Sequence, residues 1–372
     1  MKLLAIDVGG GTQDILLLDT GSNVENSVKM VMPSPTQIVA RRIEEAAGKK
    51  QKLLFSGITM GGGPSSHALE EYLQTGLEAF ATPQAACTFD DDLDEVQRMG
   101  VKLVSPEEAN GLEGVSCIVL KDIDLDAIRK ALELFGVSPR FDGIAVAALD
   151  HGAAPKGFSD RIFRFQHLKQ KVQERNELIS FAYLRDEVPS YLSRMRAIAG
   201  SVDPGTPLLI MDTGPAAALG SFLDEEVAKH QDLVIANIGN FHTLAFHIHG
   251  DKVMGLLEHH TGKLNVTKLD DLIQRLVAGT IKDGEVFADN GHGSFILQGD
   301  DKPFFVAICG PQRHMMKESK LSPYFVAPYG DMMLTGSFGL IKAFAGRMPE
   351  WKDEINGALY GAGRKMKKYR LH

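Results

Sequence analysis

Near the N-terminus, in LLAIDVGGGTQDILLLD, Asp7, Gly9, Gly10, Gly11 and Thr12 stand between two apolar runs. These residue types suit a phosphate group. Backbone N–H groups in a glycine turn can converge into a nest for oxyanions, and glycine admits close approach or an unusual φ. Asp7, at the end of the first run, is placed to act on the phosphate and to hold Mg²⁺ through water, because Mg²⁺ keeps several waters and takes few carboxylates. Thr12 adds a hydroxyl. No GK[ST] follows the glycines, so this is not a Walker A loop. A strand follows rather than a helix, so it is not a dinucleotide fingerprint either. The competing reading is a plain glycine hairpin.

Other residues invite chemistry more weakly. Asp150, His151 and Gly152 end an apolar run, which in an α/β sheet places them near a cleft. Gly61, Gly62 and Gly63 precede Pro64, Ser65 and Ser66. They read as a second anion loop or as a structural turn, with Ser65 or Ser66 capping the next helix. His242, His247, His249, His259 and His260 crowd one region. His247 and His249 share a strand face and could hold a metal with Glu258, but a half-exposed hairpin with alternating polar residues is the expected reading. The loop of Asn290, Gly291, His292, Gly293 and Ser294 reads as an ordinary hairpin turn. Met332 and Met333 read as core filling. Cys87, Cys117 and Cys309 are far apart and lack CxxC or CxxxCxxC spacing. Reduced, buried thiols in a cytoplasmic protein are expected.

The elements that must position these residues form an α/β pattern. Strand-like runs ending in glycine turns alternate with helical periods, as in KLLFSGITMGGG and FDGIAVAALDHG. Residues 155–205 are more polar and helix-forming. The strand, glycine turn and helix pattern restarts at Pro207. Two α/β lobes are expected, spanning 1–205 and 206–372. The 372 residues carry a formal net charge of −8, which is no footprint for nucleic acid. The one basic cluster, Arg364, Lys365, Lys367, Lys368 and Arg370, reads as a solvated tail. No apolar run reaches the ~18 residues of a membrane span, and no targeting segment is expected.

The first glycine turn resembles the first phosphate motif of the superfamily of actin, sugar kinases and heat-shock chaperone ATPases. Four later segments follow that superfamily's order. PLLIMDTGPAAALGSFLDEEV is similar to its first connecting helix, with Gly220 available for a close helix crossing. LVIANIGNFHTLAFHI is similar to its second phosphate motif, which implicates Asn237, Gly239 and Asn240. PFFVAICGPQR is similar to its adenosine motif, placing Cys309, Gly310 and Pro311 against the nucleoside. APYGDMMLTGSFGLIKA is similar to its second connecting helix. The resemblance implies a fold of two lobes of the actin-like ATPase (ribonuclease H-like) type with a nucleotide cleft between them. The whole chain also resembles a prokaryotic family whose members are sometimes called pyruvate formate-lyase activating enzymes. Radical enzymes of that kind use a CxxxCxxC cluster, which is missing here, so radical chemistry is not expected.

On this resemblance the chain is an ATP-binding protein using Mg²⁺. It would be a slow ATPase or phosphotransferase that couples nucleotide state to a protein or small-molecule partner. Two alternatives stand beside it. A small-molecule kinase needs a carboxylate base, with Asp150 and Asp212 as candidates. A non-catalytic scaffold or enzyme activator is favoured by Asn237, where the superfamily usually has Asp, and by the want of a phosphate-clamping lysine other than Lys52.

Overall fold

The computed structural model describes residues 1–300 and 302–361. The basic cluster after position 363 lies outside them. The chain opens on β1 (Lys2–Val8), a strand covered on both faces. Leu3 and Ala5 enter one hydrophobic core, while Leu4, Ile6 and Val8 enter another. That is the period-two alternation of a central strand, and it is why the run reads as continuously apolar. The first sheet has the order β3 (Val28–Pro33), β2 (Thr12–Asp19), β1, β8 (Gly143–Ala148), β10 (Leu208–Met211), β9 (Ala182–Leu184). β1, β2 and β3 form an antiparallel meander, and β8 and β10 continue in parallel from β1.

The second sheet repeats this plan. Its order is β14 (Gly293–Ile296), β13 (Lys252–His260), β12 (His242–His249), β11 (Asp232–Ile238), β15 (Phe305–Cys309), β16 (Tyr324–Phe325). β11, β12 and β13 are the antiparallel meander, and β15 and β16 run parallel from β11. Two sheets sharing the order third–second–first–fourth–fifth, with the same strand directions, make a duplicated ribonuclease H-like fold. This is the two-lobed architecture of the actin-like ATPases.

The observed layout departs from the expected one in two ways. β10 belongs to the first sheet, so that sheet runs past residue 205. Leu209 and Met211 pack on one face and Leu208 and Ile210 on the other, which leaves this apolar strand no place except inside the sheet. Four strand-like runs between residues 52 and 120 do not join either lobe's sheet. β4 (Lys52–Gly57), β5 (Ala79–Ala81), β6 (Val101–Leu103) and β7 (Val115–Leu120) form a separate parallel sheet, ordered β6-β5-β4-β7, with its own core. Among the described residues no helix is long and apolar enough to cross a membrane.

Helices Thr213–Ser221 and Thr335–Arg347 each follow the last parallel strand of a lobe and cross one another. A Cβ at Gly220 would lie 1.8 Å from the Thr335 carbonyl oxygen, and one at Gly339 would lie 1.8 Å from that of Ala216. Both obstacles are backbone, so a side chain at either glycine would force the helices apart. Gly339→Ala is expected to lower stability by about 1–3 kcal/mol, read as a fall in the urea midpoint at unchanged m-value. Unchanged stability would mean that the crossing is not held this closely.

Candidate functional site

The first strand of each lobe ends in the same turn. In the first lobe Gly9 N–H donates to the Thr12 carbonyl at 2.9 Å, and in the second Gly239 N–H donates to the His242 carbonyl at 2.9 Å. Asp7 and Asn237 thus occupy equivalent positions two residues before the glycine. Thr12 and His242 are equivalent three residues after it. The two turns meet. A Cβ on Gly11 would lie 2.5 Å from Asn240 Nδ2, and one on Gly10 would lie 2.2 Å from the Phe241 ring. Gln312 donates to Asn240 Oδ1 at 3.1 Å and fixes that side chain.

Both turns line a cleft of about 810 Å³. Asp7, Gly9, Gly10 and Thr12 line it from the first turn, and Asn237, Gly239 and Asn240 from the second. Asp150, Asp212, Gly310 and Pro311 line it as well, whereas Gly11 backs onto Asn240 without lining it. Gly310 takes φ +95°, and a Cβ there would strike the Ile238 carbonyl, so this position requires glycine. Cys309 is buried and donates to Asn237 Oδ1 at 3.7 Å. Burial pushes its thiol up to about 12.

The cleft carboxyls divide into two kinds. Asp7 faces Asp14 across the β1–β2 pair, so the two side chains share one face of the sheet. Asp7 Oδ1 and Asp14 Oδ1 are both buried without a hydrogen-bond partner. Burial, together with Asp14 and Asp212, raises Asp7 well above the usual carboxylate range. Burial, opposed by Thr12, raises Asp14 to about 7. Asp150 and Asp212, expected as candidate bases, are engaged instead. Asp150 accepts from Gly152 N–H at 2.8 Å and from Met195 N–H at 2.9 Å. Asp212 accepts from Gly214 N–H at 3.1 Å and from Arg164 Nη1 at 2.7 Å. Asp14 escaped the sequence reading. Its signal was a hairpin turn short enough to bring it opposite Asp7.

Arg164 also escaped it. In helix Asp160–Glu174 it shares the i, i+4, i+8 stripe of Leu168 and Val172, so an arginine in an apolar stripe was the available clue. It is 1% exposed. Its guanidinium donates to Asp212 and, at 3.0 Å, to the Asp150 carbonyl. On its other side Nε and Nη2 reach Glu258 at 2.7–3.0 Å. Asp212 follows the first lobe's β10 and Glu258 lies in the second lobe's β13, so one cation joins the lobes. Burial opposes ionisation of Glu258, but Arg164 and His292 hold its carboxyl well below the ordinary range.

Histidines gather beside this pair, though not as the sequence suggested. His151, His242 and His292 each present a ring nitrogen within 4.8 Å of the others, and His260 meets His292 edge to face with ring centroids 4.9 Å apart. Burial and the charge of Arg164 push His151 down to about 3, and burial pushes His242 well below its ordinary value. His247 and His249 stay apart from Glu258. His249 is exposed beside Asp232, and a bulge interrupts the register between His247 and Ile248. The loop around His292 is not an ordinary surface turn, because His292 is 2% exposed.

The separate parallel sheet adds Gly61, Gly62 and Gly63 to the cleft wall. Neither serine caps the helix that follows. Gly63 is the N-cap of Pro64–Gln74, and Ser65 Oγ donates to the Gly62 carbonyl. Lys52 sits at the outer start of β4, paired with Glu78, away from the phosphate turns. Met332 and Met333 line the cleft rather than the core.

Residues 60–315 match the family described as "Putative pyruvate format-lyase activating enzyme (DUF1786)". The chain belongs to this family. No curated protein matches it. Similar solved structures include the activator of the 2-hydroxyisocaproyl-CoA dehydratase from Clostridium difficile with bound ADPNP, at 9% identity, covering 95% of this chain and 98% of that one, TM-score 0.35. Another is the ethanolamine utilization protein EutJ from Carboxydothermus hydrogenoformans, at 11% identity, covering 91% and 89%, TM-score 0.32. A third is a ROK family glucokinase from Streptomyces griseus in complex with glucose and AMPPNP, at 11% identity, covering 91% and 98%, TM-score 0.31. The strand order of the two sheets by itself defines the fold.

Arg164→Met would leave Glu258 and Asp212 buried without their cation. Such a break is expected to cost about 3–5 kcal/mol, measured by urea unfolding. A loss below about 1 kcal/mol would remove Arg164 as the tie between the lobes.

Proposed function

We propose that the chain binds ATP with Mg²⁺ in this cleft, turns it over slowly, and couples closing of the lobes to a protein or small-molecule partner. The observation that carries this reading is the pair of equivalent glycine turns that meet and both line the cleft. The Gly9 and Gly239 N–H groups close their own turns, so the main-chain N–H of Gly10 and the Thr12 hydroxyl would take the phosphates. Asn240 would close over them, and Gly310 and Pro311 would flank the nucleoside.

The carboxyls beside the first turn fit a divalent cation. Two buried carboxyls side by side disfavour double ionisation, and each keeps an oxygen without a partner. A hard cation such as Mg²⁺, which takes a few carboxylate oxygens and keeps its waters, suits that pair. Asp7 would hold it, with Asp14 beside, and the ion would offset the charge of the phosphates. Slow turnover follows from the second lobe. Asn237 stands where Asp7 stands in the first, and an amide contributes no charge. Asp150 and Asp212 have their oxygens occupied, so they act as supports for the loop and helix that they cap.

A second reading, a small-molecule kinase, draws on Asp14. A buried carboxyl raised to about 7 lies where a general base works at neutral pH. Phosphorylation of an added metabolite, lost in Asp14→Asn, would favour this reading over the slow ATPase.

Thermal shift with ATP and Mg²⁺ tests nucleotide binding, since a ligand at a hundred times its Kd stabilises by about 2.7 kcal/mol. No stabilisation by any nucleoside triphosphate would overturn the proposal. Asp7→Asn is expected to weaken Mg·ATP about tenfold or more, which corresponds to about 1.4 kcal/mol, and to leave metal-free nucleotide binding unchanged. Calorimetry that finds equal Mg·ATP affinity in the variant would take Asp7 out of the site.

A further inference from the structure

We propose that His151, His242 and His292 bind one divalent transition-metal ion of the zinc type between the lobes, with one coordination position open to the cleft. This site is separate from the phosphate site. Its donors are imidazole nitrogens, which suit zinc, copper, iron or nickel, whereas Mg²⁺ prefers the oxygens of Asp7 and Asp14.

Geometry brings the three rings together from three places in the chain. His151 follows β8 in the first lobe, His242 starts β12, and His292 precedes β14 in the second. The His242 and His292 ring centroids are 4.9 Å apart, and His151 lies 5.4 and 5.6 Å from them. One nitrogen of each lies within 4.8 Å of the others. A tetrahedral ion with Zn–N of about 2.0–2.1 Å spaces its nitrogens about 3.4 Å apart, so small ring rotations complete the set.

A second observation points to a ligand. His292 is 2% exposed, yet neither of its ring nitrogens makes a hydrogen bond. Burying such a group unsatisfied costs about 1–3 kcal/mol. Its Nδ1 lies 3.0 Å from Glu258 Oε2, off the line of a hydrogen bond, and Nε2 has no polar partner. A metal on Nε2 would satisfy that nitrogen, with Glu258 behind the ring as the carboxylate that orients a ligating histidine. Arg164 already fixes Glu258 through three hydrogen bonds. Three protein ligands with a vacant position match sites in which water takes the fourth place.

The test uses the full, untagged chain, freed of metal by a chelator and titrated with Co²⁺ as a spectroscopic stand-in for Zn²⁺. The expected result is one equivalent of Co²⁺ giving the intense visible bands of a four-coordinate ion, displaced by Zn²⁺. His151→Ala and His242→Ala should each weaken binding about 100-fold, while retaining wild-type circular dichroism. Glu258→Gln should weaken it by about 10–100-fold through the positioning of His292. His67→Ala, an exposed histidine in helix Pro64–Gln74, should bind as wild type does. Absence of saturable one-to-one binding to the wild type would overturn the proposal. So would wild-type affinity in folded His151→Ala and His242→Ala.

Discussion

The arrangement of the cleft depends on a buried cation. Arg164 is removed from water and lies between two carboxylates and a main-chain carbonyl. Burying a guanidinium is costly unless every donor is met, and here the partners come from both lobes. Asp212 can cap helix Thr213–Ser221 because its second oxygen is held by Arg164. The Asp150 loop is aligned by its carbonyl on the same guanidinium and by its carboxylate on Gly152 and Met195. Glu258, held ionised by that charge, stands behind His292. One side chain thus sets the first helix crossing the lobes, the loop that carries His151, and the second lobe's histidines.

A parallel tie lies where the separate sheet meets the first lobe. Arg194 in helix Ser193–Ser201 makes a two-point contact with Asp122 at 2.8 Å and donates to the Leu149 carbonyl at 2.6 Å. Gly61 N–H donates to the same Asp122, and a Cβ on Gly61 would lie 2.7 Å from the guanidinium. The three-glycine loop is therefore positioned by an ion pair. Gly61 serves close packing against arginine as much as any approach by a ligand.

What the sequence made legible follows from local rules. The β1 turn was readable because an apolar strand, a carboxylate and glycines are contiguous, and the later glycine turns were readable for the same reason. Gly220 stood out in a helix otherwise full of alanine, and it does meet the backbone of the partner helix. What stayed hidden is what the chain assembles from a distance. His151, His242 and His292 are separated by 91 and 50 residues, and no spacing rule joins them. The crowd of histidines after residue 241 drew attention to His247 and His249, but strand pairing sends those to the other end of the hairpin. The separate parallel sheet was read into the first lobe because a strand–turn–helix pattern is the same whichever sheet receives the strand. β10 fell near the expected boundary because pattern alone does not reveal which neighbour a buried strand will pair with.

The duplicated lobes are not chemically alike. The equivalent turns of the two lobes differ in their side chains. Asn237 stands in the second lobe where Asp7 stands in the first, and His242 where Thr12 stands, so the first lobe presents carboxylate and hydroxyl oxygens and the second an amide and an imidazole. A symmetric cleft would treat its two halves alike, but this one separates them chemically. His242 also supplies the carbonyl that closes the second turn. Anything that fixes its ring therefore fixes the backbone facing Gly10 and Gly11. A ligand can shift the lobes only by binding one arrangement better than another. Groups that touch both lobes, Arg164 permanently and the His151–His242–His292 cluster by position, are where such a difference in affinity can arise.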